Sequence, residues 1–388
     1  MEHGGRAPGD AAARLAALAV GHLAIDCCAG IWPVFKTVAG LDIARAGLVA
    51  TVGSMSGNGL QLAFGGFADR GGRRRLLVLG TASAAAVTFV PWAAGSYLLM
   101  AALVMTSQIG SAAFHPSAAG AAATIAPQRA GFMLGLFLAG GYLGYALSQL
   151  VFTAVYAASP FATPLIGLVP LCAAAAVAAT LPRSARPALA TGLRARALVE
   201  SRGALGPLFL VQACASGVST TLIFLLPDLL LERSAPSWMV EGGGHFALVA
   251  GGGLALVPAG HASDRWGARR VLSGANLLSG ALLLALLART RGSWPDLALV
   301  LAFGALNGVN SVVAVSEGSR VLPGHASAVS ALLMGLPWCV AATGPMIAGR
   351  LADPSRGGTP SAALAWFVLL LPVAFAASLF VRPRRPSP

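Results

Sequence analysis

The sequence predicts an all-α integral membrane protein with twelve transmembrane helices in two pseudo-symmetric six-helix bundles. Three observations predict it. Hydrophobic residues make up 56% of the 388 and charged residues only 10%, whereas soluble domains carry roughly a quarter charged. Apolar runs recur that are long enough for the about 20 helical residues that cross a bilayer core. A short basic turn also occurs twice, half a chain apart.

The runs cover residues 14–37, 44–67, 76–95, 97–123, 131–157 and 161–181, then 206–231, 239–260, 271–289, 294–321, 325–350 and 361–381. None alternates polar and apolar residues as a lipid-facing barrel strand would, so each is read as a helix. Forty-eight glycines and 24 prolines suit membrane helices, which tolerate both better than soluble ones do. Residues 182–205 form the one long polar connector, with Arg183, Arg186, Arg194, Arg196 and Arg202 against Glu200. This divides the chain into an N-terminal bundle (1–181), a cytoplasmic linker (182–205) and a C-terminal bundle (206–388).

A net charge of +13 would suggest nucleic acid in a soluble protein. No basic face interleaved with aromatics occurs here, so no nucleic-acid partner is expected. The arginines sit in short loops instead. Nineteen of the 26 Lys and Arg residues fall on one side of the twelve-span arrangement. The positive-inside rule then places both termini and the linker in the cytoplasm, in a multi-pass protein of the cell inner membrane. The N-terminus, with Glu2 and Asp10 beside Arg6, resembles no cleavable signal, and the first run is expected to stay as a helix. Cysteines 27, 28, 172, 214 and 339 form neither a disulfide framework nor a metal spacing.

The repeated turn reads G-x-x-x-D-R-x-G-R-R: Gly65, Asp69, Arg70, Gly72, Arg73 and Arg74. It returns at Gly260, Asp264, Arg265, Gly267, Arg269 and Arg270, with Ala268 replacing the first basic residue of the closing pair. Pro127 and Pro323 echo each other at nearly the same offset. The duplication implies two homologous halves related by an axis along the membrane normal, an arrangement typical of transporters.

The doubled turn resembles the signature of the major facilitator superfamily. Within it, GHLAID at 21–26, AALVMTSQIGSAAFHPSAAG at 101–120 and VLPGHASAVSALLMG at 321–335 resemble the fosmidomycin-resistance branch. Two departures stand out: Ser117 where the branch often carries a glutamate, and Arg320 where an acid commonly precedes Leu-Pro-Gly. The resemblance implies alternating access, a central cavity lined by the first, fourth, seventh and tenth helices, and a cytoplasmic latch at the doubled turn. The simpler reading of that turn is a positive-inside loop.

Ionisable groups within the runs are the informative ones, because a charge at mid-bilayer costs at least ~2.5 kcal/mol. His22 and Asp26 are four apart and share a helix face; Asp26 is the candidate proton carrier and His22 its relay. The alternative is a polar pair that fastens helices. His115 precedes Pro116, which removes a backbone donor and favours a kink, and is a third proton-coupling candidate. Glu317 pairs at i,i+3 with Arg320, and Asp228 is placed at the membrane interface. Gln108, Ser111, Gln212, Ser216, Asn307, Asn310 and Glu317 are candidate cavity residues, with interhelix hydrogen bonding as the other reading of each neutral one.

The expected function is proton-coupled export of a small organic molecule or drug. Proton-coupled uptake of a metabolite and a non-transporting membrane sensor remain open alternatives. No zinc-site H-E-x-x-H, nucleophile elbow or P-loop occurs, so neither an enzyme nor an ATP-driven pump is expected. No cofactor and no metal is expected either, since His22-x-x-x-Asp26 lacks a third ligand. The expected partners are the substrate, protons and the bilayer, with the chain acting as a monomer.

Overall fold

The computed structural model describes residues 8–125, 130–181, 200–322, 329 and 331–382. Pro127 and Pro323, most of the linker and the terminal arginines beyond Arg382 lie outside them. In hydrocarbon every backbone N–H and C=O must be paired, and a helix pairs them within itself. The described residues are accordingly helical, with no strand among them.

Eleven stretches among the described residues are long and apolar enough to cross a membrane: Ala11–Val38, Arg70–Ala93, Tyr97–Ala122, Gly135–Ala158, Pro160–Thr180, Arg202–Glu232, Met239–Trp266, Ala268–Leu287, Trp294–Val321, Leu332–Leu351 and Pro360–Ser378. The remaining long helix, Ile43–Phe67, has the length at 25 residues but is diluted by Ser54, Ser56, Asn58 and Gln61. Counted with it, the helices follow the twelve expected runs in order and are called the first to twelfth spans below. Their outer faces are apolar: Leu98, Phe161, Leu254 and Val257 are all strongly exposed, as lipid-facing side chains must be.

The first span is broken between Ala29 and Ile31. Pro33 explains the position, because it has no N–H for the Ala29 carbonyl four residues back and its ring crowds that carbonyl.

The chain forms two compact units, residues 1–32 with 60–190, and residues 33–59 with 191–388. These units follow the sequence halves except at 33–59, which packs in the second unit. Small residues make that packing possible. Gly47 lies against the Pro345 carbonyl, Gly349 against that of Ile43, and Thr51 donates to the Ala342 carbonyl at 2.7 Å.

In the first unit, the first and fifth spans meet along Gly140, Gly141 and Gly144, which lie against Ala19, His22 and Leu23. The third and fourth spans meet at Gly80 and Gly110 in the same way. Without side chains at these points the backbones approach closely, which is how membrane helices gain packing where no hydrophobic force drives them together. In the second unit, Gly251, Gly304 and Gly308 play this role between the eighth and tenth spans. An apolar core of Leu205, Leu208, Val211, Leu272, Val313 and Leu333 fills one end of that unit.

Candidate functional site

His22 and Asp26 sit one turn apart on the first span, and the fourth span brings His115 to the same place. His22 Nε2 is 3.2 Å from Asp26 Oδ2, and His115 Nε2 is 3.3 Å from Asp26 Oδ1. The second imidazole is what the spacing within one helix did not reveal, and it supplies the third ligand-type group that His22-x-x-x-Asp26 lacked. Phe137 stacks on His22 with ring centroids 4.2 Å apart, while His115 meets His22 edge-on at 4.9 Å. The floor is the bare backbone of Gly141, where a Cβ would lie 2.8 Å from Asp26 Oδ2 and closer still to the His22 ring.

The remaining ring nitrogens fix the proton positions. His22 Nδ1 lies 2.9 Å from the Phe137 carbonyl, and His115 Nδ1 lies 2.8 Å from that of Ser111. A carbonyl only accepts, so both Nδ1 atoms carry hydrogen and donate. Each neutral ring therefore turns the lone pair of Nε2 toward the Asp26 carboxylate, itself only an acceptor when ionised. Two lone pairs facing an anion call for something positive between them. Protons on Nε2, or on the carboxyl, supply it. Side-chain exposure rises from 5% at His22 to 17% at Asp26 and 32% at His115, so the cluster is least covered on the His115 side. Tyr142 and Tyr145 of the fifth span interact electrostatically with Asp26.

Of the neutral candidates, Ser111 joins this cluster, its hydroxyl 3.1 Å from His115 Nδ1, and Gln108 is half-buried one turn before it. Those of the second unit bond to one another. Gln212 donates to Ser311 at 2.8 Å and to Ser216 at 3.2 Å, and Asn307 donates to the Ala215 carbonyl. Asn276 of the ninth span donates to Asn310 at 2.8 Å. Gln212, Asn307 and Asn310 thus bond between helices here and Ser216 within its own, although Gln212 Oε1 and Asn307 Oδ1 have no partner among the described residues.

The two turn copies differ. Gly267 takes the left-handed φ of +85° in the second copy, but in the first Gly71 does so at +100°. Its neighbour Gly72, the motif glycine, lies against the Phe67 ring. Arg70 donates to the Gly66 carbonyl at 3.3 Å and Arg74 to that of Ala178 at 2.6 Å, while the Asp69 side chain lies outside the described residues. Asp264 accepts from Arg320 at 2.8 Å, and Arg320 also holds Glu317 at 3.1 Å, the expected i,i+3 pair. Arg320 is thus a partner of the second turn.

Two ion clusters escape a reading by spans. Lys36, 1% exposed, pairs with Asp228, Thr37 donates to the other Asp228 oxygen at 2.9 Å, and the Lys36 ammonium lies 4.5 Å from the Phe224 ring centroid. Asp228, part-buried four residues before the end of the seventh span, is thus paired with a buried lysine. Arg233 and Arg289 both bind the fully buried Asp296. The available signal was weak: lone opposite charges at the ends of spans, far apart in sequence. Gln149, fully buried in the fifth span with neither amide atom partnered among the described residues, was also missed.

A groove of about 550 Å³ lies beside the second turn copy, lined by Pro258, Trp266, Arg270, Val271, Leu306 and Val309. Its walls are mostly apolar.

A sequence-family comparison matches residues 15–243 to the Major Facilitator Superfamily. No curated protein matches the chain. Among solved structures, the fold is similar to a bacterial homologue of the human lysosomal transporter Spinster, in an inward-facing and unoccupied conformation (TM-score 0.74, 15% identity, 97% of this chain and 95% of that one). The same homologue in its occupied inward-facing conformation gives 0.70 at 16% identity, over 96% and 93% of the two chains. A mutant of the nucleoside transporter NupG gives 0.75 at 12% identity, over 95% of this chain and all of that one.

Proposed function

Because the chain belongs to the major facilitator superfamily, whose match covers more than half of it, we propose that it is a proton-coupled secondary transporter, with Asp26, His22 and His115 as the coupling cluster. One observation carries this reading: two imidazole Nε2 atoms converge on one carboxylate, 3.2 and 3.3 Å away. Such a cluster can hold a proton and pass it on, since each imidazole and the carboxylate can carry one on the atoms that face each other. A proton taken up there neutralises a group that is costly to keep charged in the membrane, and so biases one access state over the other.

Export of a small organic molecule is the direction proposed, following the likeness of His22, Asp26 and the Phe114-His115-Pro116 triplet to the fosmidomycin-resistance branch. A phosphonate cargo would want arginine or lysine in the cavity; Lys36 is already committed to Asp228, which argues for a less anionic substrate. The Asp264–Arg320 pair is proposed as the latch of the second turn, which releases during the cycle. The positive-inside count supports an inner-membrane location with both termini cytoplasmic.

The test begins with a drug and metabolite sensitivity screen of cells lacking or overproducing the protein, to find a substrate. Substrate-driven proton flux is then measured in proteoliposomes, and its sign separates export by antiport from uptake by symport. Wild-type protein is expected to move protons with substrate and Asp26→Asn is not. Unchanged proton coupling in Asp26→Asn removes the cluster from the role.

A further inference from the structure

We propose that His22 Nε2, Asp26 and His115 Nε2 also form a three-ligand site for a divalent first-row transition-metal ion of the Zn²⁺ class, which takes the place of protons there. The inference uses the same cluster as the transport reading but rests on its geometry alone.

The ligating atoms of the three residues all lie within 4.8 Å of one another. A tetrahedral ion with bonds of about 2.0–2.1 Å has ligand-to-ligand edges of roughly 3.3 Å. Here His22 Nε2 lies 3.2 Å from Asp26 Oδ2 and His115 Nε2 3.3 Å from Asp26 Oδ1. Each imidazole thus meets its own carboxylate oxygen, and a small turn of the carboxylate would bring one oxygen to an ion between the rings. Both rings are held for the task. A metal-bound histidine almost always donates its other N–H to a fixed acceptor, which sets the tautomer and the ring direction, and His22 and His115 do so to the carbonyls of Phe137 and Ser111. The two Nε2 lone pairs need not be freed by any rearrangement, because they already face the carboxylate.

The donor set selects the ion. Two imidazoles and one carboxylate suit Zn²⁺ and its neighbours; Ca²⁺ and Mg²⁺ want a shell of oxygens. Three protein ligands leave a fourth position for water, as in open zinc sites, and the 32% exposure of His115 gives that side an entry path. The space is set by Gly141, whose missing side chain is what keeps the His22 and Asp26 atoms uncovered. The bound ion would turn an anionic carboxylate site into one of net charge +1.

The experiment uses full-length protein, purified in detergent with a tag that contains no histidine, titrated with Zn²⁺ and separately with Co²⁺. One Zn²⁺ per chain is expected to bind, with Co²⁺ giving the visible absorption of a tetrahedral nitrogen–oxygen site that Zn²⁺ abolishes and excess Mg²⁺ does not. Asp26→Asn is expected to weaken Zn²⁺ binding by more than the roughly 10–100-fold that loss of an outer-shell partner costs. His115→Gln, at the most exposed ligand, is expected to do the same and serves if Asp26→Asn does not fold. Absence of Zn²⁺ binding in the wild type, or undiminished binding in the double variant His22→Gln/His115→Gln, overturns the proposal. Proton flux measured with a chelator present reports on the transport reading separately: coupling without Zn²⁺ binding sinks only the metal site, and binding without coupling sinks only the proton role.

Discussion

In the first unit, three titratable side chains from two spans converge on one point with two lone pairs facing a carboxylate; in the second, polar side chains of the seventh, ninth and tenth spans bond across helices through their donors. Gln212 reaches Ser311 and Asn276 reaches Asn310, while Arg233 and Arg289 close on Asp296. The two halves repeat a helical plan and a turn motif, but they do not repeat chemistry. The place where two lone pairs face a carboxylate lies in the first unit, and that is the property expected of a group that must pick up and release a cation. A polar network that already satisfies its donors holds helices together instead.

The largest effect that would break this comparison belongs to Asp26. Asp26→Asn is expected to lower substrate-driven proton flux by at least about 100-fold, in line with loss of a positioned proton-transfer group, as read with a pH-sensitive dye in proteoliposomes. A Gln212→Ala variant that lost coupling equally would erase the distinction between the halves. Next comes Lys36→Met, which leaves Asp228 without its partner and is expected to destabilise the protein by about 3 kcal/mol, the low end for a broken buried pair, since Asp228 keeps some exposure. The double variant Lys36→Met/Asp228→Leu should recover most of that loss in thermal unfolding, and failure to recover would mean that the pair does more than neutralise itself.

Smaller effects sharpen the contrast. Gln212→Ala removes interhelix hydrogen bonds in the second unit and is expected to cost about 0.6–1.7 kcal/mol in the same unfolding assay, with substrate KM unchanged. A raised KM would return Gln212 to the cavity. Smallest in stability is Arg320→Gln, at less than about 1 kcal/mol, because the Arg320 and Asp264 side chains are 44% and 59% exposed. Its expected signature is kinetic, a changed transport rate with nearly unchanged unfolding temperature.

The twelve-span plan was legible because a bilayer imposes length and apolarity on every segment, and the chain states both plainly. Even the least apolar span, Ile43–Phe67, is framed by its neighbours and by the turn that follows it. The pairing of His22 with Asp26 was legible for a similar local reason, a separation of one helical turn. That His115 would aim Nε2 at the same carboxylate was not, because it depends on how closely the first, fourth and fifth spans approach, and Gly141 sets part of that. Lys36 and Asp228 meet across 192 positions of sequence, and no local pattern encodes such a contact. The turn copies, alike in letters, differ in which glycine bears the left-handed backbone, since Gly71 has no glycine counterpart in the second copy, where Trp266 stands.

Gly140, Gly141 and Gly144 also act mechanically. They seat the fifth span on the first so that Ala19, His22 and Leu23 lie in its notches, like teeth in a keyed joint. Sliding the fifth span by one residue in one direction would bring Tyr142 to the imidazole in place of Gly141. The joint resists that slip, and the first helix is interrupted beyond it, between Ala29 and Ile31.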